Sequence, residues 1–228
     1  MDRFGAFISS FDAGMLVVLL ISVLSCVLCI TVHELCHGLT ALMLGDRTAR
    51  QAGRLTLNPL AHIDPVGLLM LLVARVGWAK PVPVNLRAFR HPKRDMALTA
   101  LAGPVSNFAL AFVFMPIASA LYRHVNGMVG AYALFFVCYI IVLSVGLGLF
   151  NLIPIPPLDG SKIVSAVLPA SMYRRYMQIE HYLLIVVVAL AWFGFFSGPL
   201  GAGINWVIRI FCNWFDFPFS YFTLAFGL

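Results

Sequence analysis

Apolar residues in this chain fall in blocks too long and too unbroken for the alternation of a strand or the one-sided stripe of a soluble helix. Gly14–Leu44, Met96–Tyr122 and Val129–Ile153 each exceed the roughly 20 residues that a helix needs to cross a hydrocarbon core. Tyr182–Phe196 is shorter and needs upstream residues such as Tyr176–Ile179 to reach that length. Gly201–Leu228 is a fifth candidate, and its Arg209 and Asp216 leave open both a span and a place at the membrane interface. The pattern predicts an all-α polytopic membrane protein, a helix bundle of about four to six transmembrane segments, with a small cytoplasmic-side strand and re-entrant region. A single integral membrane domain is expected over residues 1–228, with its core at 14–165 and C-terminal helices at 176–228. Met1–Ala13 is nearly neutral and the block behind it is too long for a signal h-region, so a cleaved leader is not expected.

The polar intervals orient these segments. Between Leu44 and Met96 lie Arg47, Arg50, Arg54, Arg75, Lys80, Arg87, Arg90, Lys93 and Arg94, nine of the 15 basic residues. Such a loop belongs on the cytoplasmic side. The next two blocks then form a hairpin that leaves and returns, turning at Arg123–Met128, so that Lys162, Arg174 and Arg175 come back to the same side. A basic inner surface suits anionic lipid head groups, and there is no nucleic-acid-binding motif to favour that partner. Composition agrees, with 61% hydrophobic and 11% charged residues, against roughly 45–50% and 25% in soluble domains. Five cysteines, an odd number inside or beside apolar blocks, argue against a disulfide framework.

Three stretches depart from plain spanning helix. Arg54-Leu55-Thr56-Leu57-Asn58 alternates like a short strand, and the prolines of Ala79–Asn85 impose a second extended edge. Val66–Val73 is apolar but far too short to span, and reads as re-entrant or interfacial. After Asn151, the prolines at 154, 156 and 157 break the helix and leave Asp159 either to cap the next one or to project a carboxylate into the bundle. In Gly103-Pro104-Val105-Ser106-Asn107, small residues allow close helix contact, and Asn107 could hydrogen-bond across it.

The chemistry concentrates in His33-Glu34-Leu35-Cys36-His37, inside the first apolar block. Ionisable groups at such depth are costly and mark function. Positions i and i+4 share a helix face, so His33 and His37 can offer two imidazole nitrogens to one metal ion with Glu34 beside them as a base. Counted from Gly45 and Asp95, His37 and Asn107 lie roughly 12 and 18 Å along their helices at 1.5 Å per residue, a similar level.

Together these blocks resemble the site-2 proteases, zinc metalloproteases that cut substrate helices within the membrane. The similarity runs in order over about residues 30–165: His33-Glu34-x-x-His37-Gly38, Asn58-Pro59-Leu60-Ala61-His62-Ile63-Asp64-Pro65-x-Gly67, Gly77–Asn85, Gly103-Pro104-x-x-Asn107, and Asn151-x-x-Pro154 through Leu158-Asp159-Gly160. The resemblance implies one Zn2+ held by His33, His37 and Asp159, water activated by Glu34, and Asn107 stabilising the oxyanion or positioning the scissile peptide. It also implies single-pass transmembrane proteins as substrates and a bacterial plasma membrane location with the site toward the cytoplasm. No stretch resembles a PDZ module, so a minimal, core-only member is expected, with a homodimer one option for its aromatic tail. Either extended edge, Arg54, Leu55, Thr56, Leu57 and Asn58 or Pro81, Val82, Pro83, Val84 and Asn85, could hold an unwound substrate by strand addition.

Two other classes stay open on sequence. Cys26, Cys29, His33, Cys36 and His37 fall within about 100° of one helix face, which suits a soft-metal transporter or thiol sensor, although Cys26 is about 10 Å from His33 along the axis. A non-catalytic membrane scaffold is the second.

Overall fold

The computed structural model describes residues 13–67, 79–124, 126–169 and 180–228, and they form helices joined by irregular segments. In chain order these are α1 (Ala13–Met43), α2 (Thr48–Gln51), α3 (Pro92–His124), α4 (Gly127–Asn151), α5 (Asp159–Ser165), α6 (Glu180–Trp192), α7 (Ser197–Phe215) and α8 (Phe219–Phe226). α1, α3 and α4 are long and apolar enough to cross a membrane. Of the fourth expected span, the described residues form the 13-residue α6; most of Val66–Val73 and the stretch Tyr176–Ile179 lie outside the described residues.

Small side chains let α3 and α4 pack closely. Ala111, Met115 and Ala118 of α3 are buried against Leu134, Val137, Cys138, Ile141 and Val145 of α4, a spacing of three and four that keeps each set on one helix face. A Cβ at Gly148 would press on the Phe108 ring and the Pro104 carbonyl, so its absence sets the spacing. Outward-facing Leu16, Leu20, Leu24, Val105 and Val113 remain exposed, as a lipid-facing surface requires.

For Gly201–Leu228 the sequence leaves open a span or an interfacial segment, and the structure packs it against the bundle. α7 runs the length of α4: Gly203 abuts Leu149 near one end, and Asp216, just past α7, pairs with Arg123 at 2.8 Å beyond the other. Its apolar face, Val207, Ile208, Phe211 and Cys212, joins the α3–α4 core, while Arg209 stacks 3.8 Å over the Phe219 ring. Burial of that face holds α7 on the bundle, and the aromatic ring accommodates the charge of the arginine.

Among the described residues, Arg54–Asn58 and Pro81–Asn85 do not form the strand expected there. Among the described residues outside named strands, the pairing is a single antiparallel bridge between Ile63 and Ala79. Side chains instead tie up the backbone around Arg54–Asn58: Thr56 Oγ1 accepts from Asn58 N–H, Asn58 Oδ1 from Leu60 N–H, and the Thr56 carbonyl bonds His62 Nε2 at 2.9 Å. Local bonds of this kind compete with a ladder. The two halves of the region are stitched together through buried side chains. Arg54 donates to the carbonyls of Lys80 and Pro81, and Asp46 accepts from Thr48 N–H, the Thr48 hydroxyl and Asn85 N–H. Gly38 lets Leu55 and Val82 lie directly on α1.

Asp46 is completely buried. Burial alone would raise its pKa above the ordinary 3.8, but the bonds from Thr48 and Asn85 prevail and hold it below that value. A depressed folded-state pKa gives stabilisation that is whole above 3.8 and is lost as the pH falls through the lowered value. Asp46→Asn turns one acceptor into a donor facing N–H groups. It is expected to cost roughly 1–3 kcal/mol at pH 7 and to flatten the acid limb of the thermal midpoint measured in detergent between neutral and acidic pH.

Candidate metal centre

One turn of α1 separates His33 from His37, and both imidazoles point at Asp159, the first residue of α5. Nε2 of each ring lies 3.1 Å from Asp159 Oδ2, and the two Nε2 atoms are 3.0 Å apart. All three side chains are buried. They form a group able to hold a metal ion, with their ligating atoms within 4.8 Å of one another. Three inward-facing lone-pair atoms in a triangle with sides of 3.0–3.1 Å come close to one face of a zinc tetrahedron, whose edges are roughly 3.3 Å for bonds of 2.0–2.1 Å. Two nitrogens and one carboxylate oxygen are also the donors of catalytic zinc sites, which keep a fourth position open. The residues present fit zinc.

Each element reaches the centre for a local reason. α3 supplies its floor: a Cβ on Gly103 would overlap both imidazole rings, so glycine is what lets α3 approach α1 here. The Thr99 carbonyl, one turn away, accepts from His37 Nδ1–H at 2.7 Å, which leaves Nε2 unprotonated in the neutral ring. α5 is delivered by the proline-broken turn after α4. Gly160 sits directly on the Leu152 carbonyl, where any Cβ would collide, and so brings Asp159 under the end of α4. Lys162, one turn along α5, lies 3.5 Å from the other oxygen of Asp159.

The triangle opens onto a cavity of about 440 Å³. His33, His37, Asp159 and Glu34 all line it, with Pro81, Val82 and Val84 on one side and Val187 of α6 on another. Glu34 Oε2 accepts the Val82 N–H at 2.9 Å, which anchors the carboxylate beside the triangle and leaves its second oxygen for chemistry.

The remaining sequence candidates are distributed differently. Asn107 is fully buried behind His33, with its amide nitrogen 3.0 Å from His33 Nδ1. The carboxamide among the residues lining the cavity is Asn151, which donates to the Leu147 carbonyl at 3.0 Å. Asn151, Lys162 and Thr99 are polar cavity residues that sequence reasoning left out of the site; the Asp159-x-x-Lys162 spacing, one helical turn, was the available signal for the lysine. Arg54 to Asn58 are not among the residues lining the cavity, whereas Pro81, Val82 and Val84 are. Within Pro81–Asn85 the two prolines lack N–H groups, Glu34 takes that of Val82 and Asp46 that of Asn85, leaving only Val84 N–H free of these claims. Against a soft-metal site, the Cys29 thiol turns to Ser144 Oγ at 3.1 Å and to the Ile140 carbonyl on α4, away from the triangle.

Comparison with known proteins gives concordant results. The model of peptidase family M50 matches residues 119–194. Over 210 residues the chain is 39% identical to the "Putative zinc metalloprotease YwhC" of Bacillus subtilis (strain 168), covering 90% of each. Two mycobacterial proteins, each named "Putative zinc metalloprotease Rip2", are more distant. That of Mycolicibacterium smegmatis is 30% identical over 164 residues, covering 69% of this chain and 61% of its own. That of Mycobacterium tuberculosis (strain H37Rv) is 28% identical over 162 residues, covering 69% and 61%. No solved structure matches.

Gly103→Ala should push both rings out of register and weaken metal binding by about 10–100-fold, the range seen when ligand orientation is disturbed. Alanine improves helix propensity by about 1 kcal/mol, so a loss cannot be blamed on the helix. Gly198→Ala, where nothing lies within 4 Å, is the control expected to leave metal content unchanged; elemental mass spectrometry of the purified proteins compares the two.

Proposed function

The chain belongs to peptidase family M50, the site-2 proteases, and is a zinc metalloprotease; on that premise we propose that it hydrolyses peptide bonds within or next to the transmembrane helices of membrane-anchored proteins. The observation that carries this reading is the triangle of His33, His37 and Asp159 on the wall of the same apolar cavity as Glu34. In it, His33, His37 and Asp159 hold the ion. Zinc so bound supplies a polarised water at neutral pH and a Lewis acid for the peptide carbonyl.

Glu34 takes the proton from the attacking water and returns it to the leaving amine. The Val82 N–H fixes one of its oxygens, so the other is presented to the reaction without a search through rotamers. Asn151, the cavity carboxamide, is suited to donate to the carbonyl as negative charge develops on it. An α-helix hides its carbonyls in hydrogen bonds, so the substrate is bound locally unwound. The extended Pro81–Asn85 segment runs beside it; short of free N–H groups, this edge offers mainly carbonyls, and pairs best with the N–H groups of the substrate.

Single-pass proteins are the substrate class that such a cavity suits, since their helices can approach laterally through lipid. The positive charge of the loop that carries Pro81–Asn85 supports a centre toward the cytoplasmic face of the plasma membrane, and suits anionic lipid as its neighbour.

Two substitutions test the assignment on the purified full chain. Glu34→Gln is expected to keep about one zinc, as three protein ligands demand, while cleavage of a verified single-pass substrate falls by about 10²–10⁴-fold, the worth of a general base. Asp159→Ala is expected to lose zinc and cleavage together. Undiminished cutting by Glu34→Gln, or zinc retained in full by Asp159→Ala, would overturn the assigned roles.

A further inference from the structure

α3 presents three positions to the two imidazoles in succession: Thr99, Gly103 and Asn107, spaced by four and therefore along one helix face. Thr99 and Gly103 already have functions there, one as the acceptor for His37 and one as the gap that admits both rings. Asn107 faces His33 Nδ1 through its amide nitrogen at 3.0 Å, and its own Oδ1 is buried with no hydrogen-bond partner. A buried acceptor left unmade is costly, and the loaded centre gives it a partner. When His33 Nε2 spends its lone pair on a cation, the neutral ring must carry its single proton on Nδ1. The amide nitrogen cannot accept that proton, but Oδ1 can. A half-turn of the carboxamide exchanges the two atoms within the same space.

We propose that Asn107 is a positioning residue for the metal ligand His33: in the zinc-loaded centre its Oδ1 accepts the Nδ1 proton and fixes the tautomer in which Nε2 faces the ion. Resting on the zinc reading above, this gives α3 the same office toward both histidines, with a backbone carbonyl serving one and a side-chain carbonyl the other. It also separates the two asparagines by task. Asn151 lines the cavity and meets the peptide; Asn107 stands behind the ring and acts through it.

The test is the zinc dissociation constant of the detergent-purified full chain, by competition with a chromophoric chelator, for wild type, Asn107→Asp and Asn107→Leu. A carboxylate still accepts from Nδ1–H, whereas leucine fills the space and accepts nothing. The expected order is aspartate within about tenfold of wild type and leucine weaker by about 10–100-fold, the usual cost of losing such a partner. The cobalt-loaded aspartate variant should keep the wild-type absorption spectrum. A residue needed only for packing gives the reverse order, because leucine matches its volume and aspartate buries a charge. Leucine binding as tightly as wild type, or aspartate binding more weakly than leucine, overturns the proposal. Nitrogen-15 spectra of zinc-loaded wild type decide it without a variant: a slowly exchanging proton on His33 Nδ1 supports it, and a bare Nδ1 overturns it. A folded wild-type chain that binds no zinc overturns the zinc reading itself, and this inference with it.

Discussion

Two imidazoles and a carboxylate are held within an apolar helix bundle, and the requirement that none of their polar atoms be left alone there governs the rest of the architecture. Unpaired, such groups would cost more than the packing around them returns. The inward atoms, His33 Nε2, His37 Nε2 and Asp159 Oδ2, face one another. Each outward atom therefore needs its own partner, and it comes from α3 or α5: the Thr99 carbonyl, the Asn107 amide, and Lys162 beside Asp159 Oδ1. Gly103 and Gly160 then follow as necessities, because these partners reach the centre only if α3 touches the rings and α5 touches the end of α4. His37 and Asp159 are separated by 122 positions in sequence and by one hydrogen-bond length in space.

The same requirement governs the Pro81–Asn85 segment. Its extended conformation resembles a strand edge, yet its donors are committed to the site rather than to a sheet: Val82 N–H to Glu34 and Asn85 N–H to Asp46. Alternating prolines remove two more donors and with them most of the capacity to pair with a neighbouring chain by mistake. What holds the segment in place is Arg54, reaching from the other half of the region to its carbonyls. Glu34 is thus fixed from outside its own helix, which a base adjoining the triangle needs and α1 alone does not provide.

Reading the chain without coordinates succeeds where chemistry is local. His33 and His37 are one turn apart on any helix, and a glutamate beside them in an apolar block is too costly to stand there without a chemical task. The three long spans are equally plain from their unbroken apolar runs. Asp159 is harder: a carboxylate after a proline turn is as good a cap as a ligand, and only the resemblance of the whole motif speaks for the second. Of the asparagines, the sequence singles out Asn107 and gives Asn151 no role. Which of Asn107 and Asn151 faces the cavity depends on how α3 and α4 are rotated against α1, and in helices apolar on every side the pattern carries no phase to fix that rotation. The alternation at Arg54–Asn58 misleads for another reason, since Thr56, Asn58 and His62 satisfy the backbone locally and leave no ladder to form.

α7 shows how the distant part of the molecule serves the centre without touching it. Its apolar face fills the groove between α3 and α4 along the length of α4, so the helix that carries Thr99, Gly103 and Asn107 is clamped from behind. That matters because α3 contains Pro104 and Pro116, each of which removes a backbone hydrogen bond from the helix interior. Left alone, a helix so weakened would bend where the rings need it straightest. Packed between α1, α4 and α7, its angle is set by neighbours on three sides, and the precision of the histidine pair is inherited from that packing rather than from the loop chemistry at its edge.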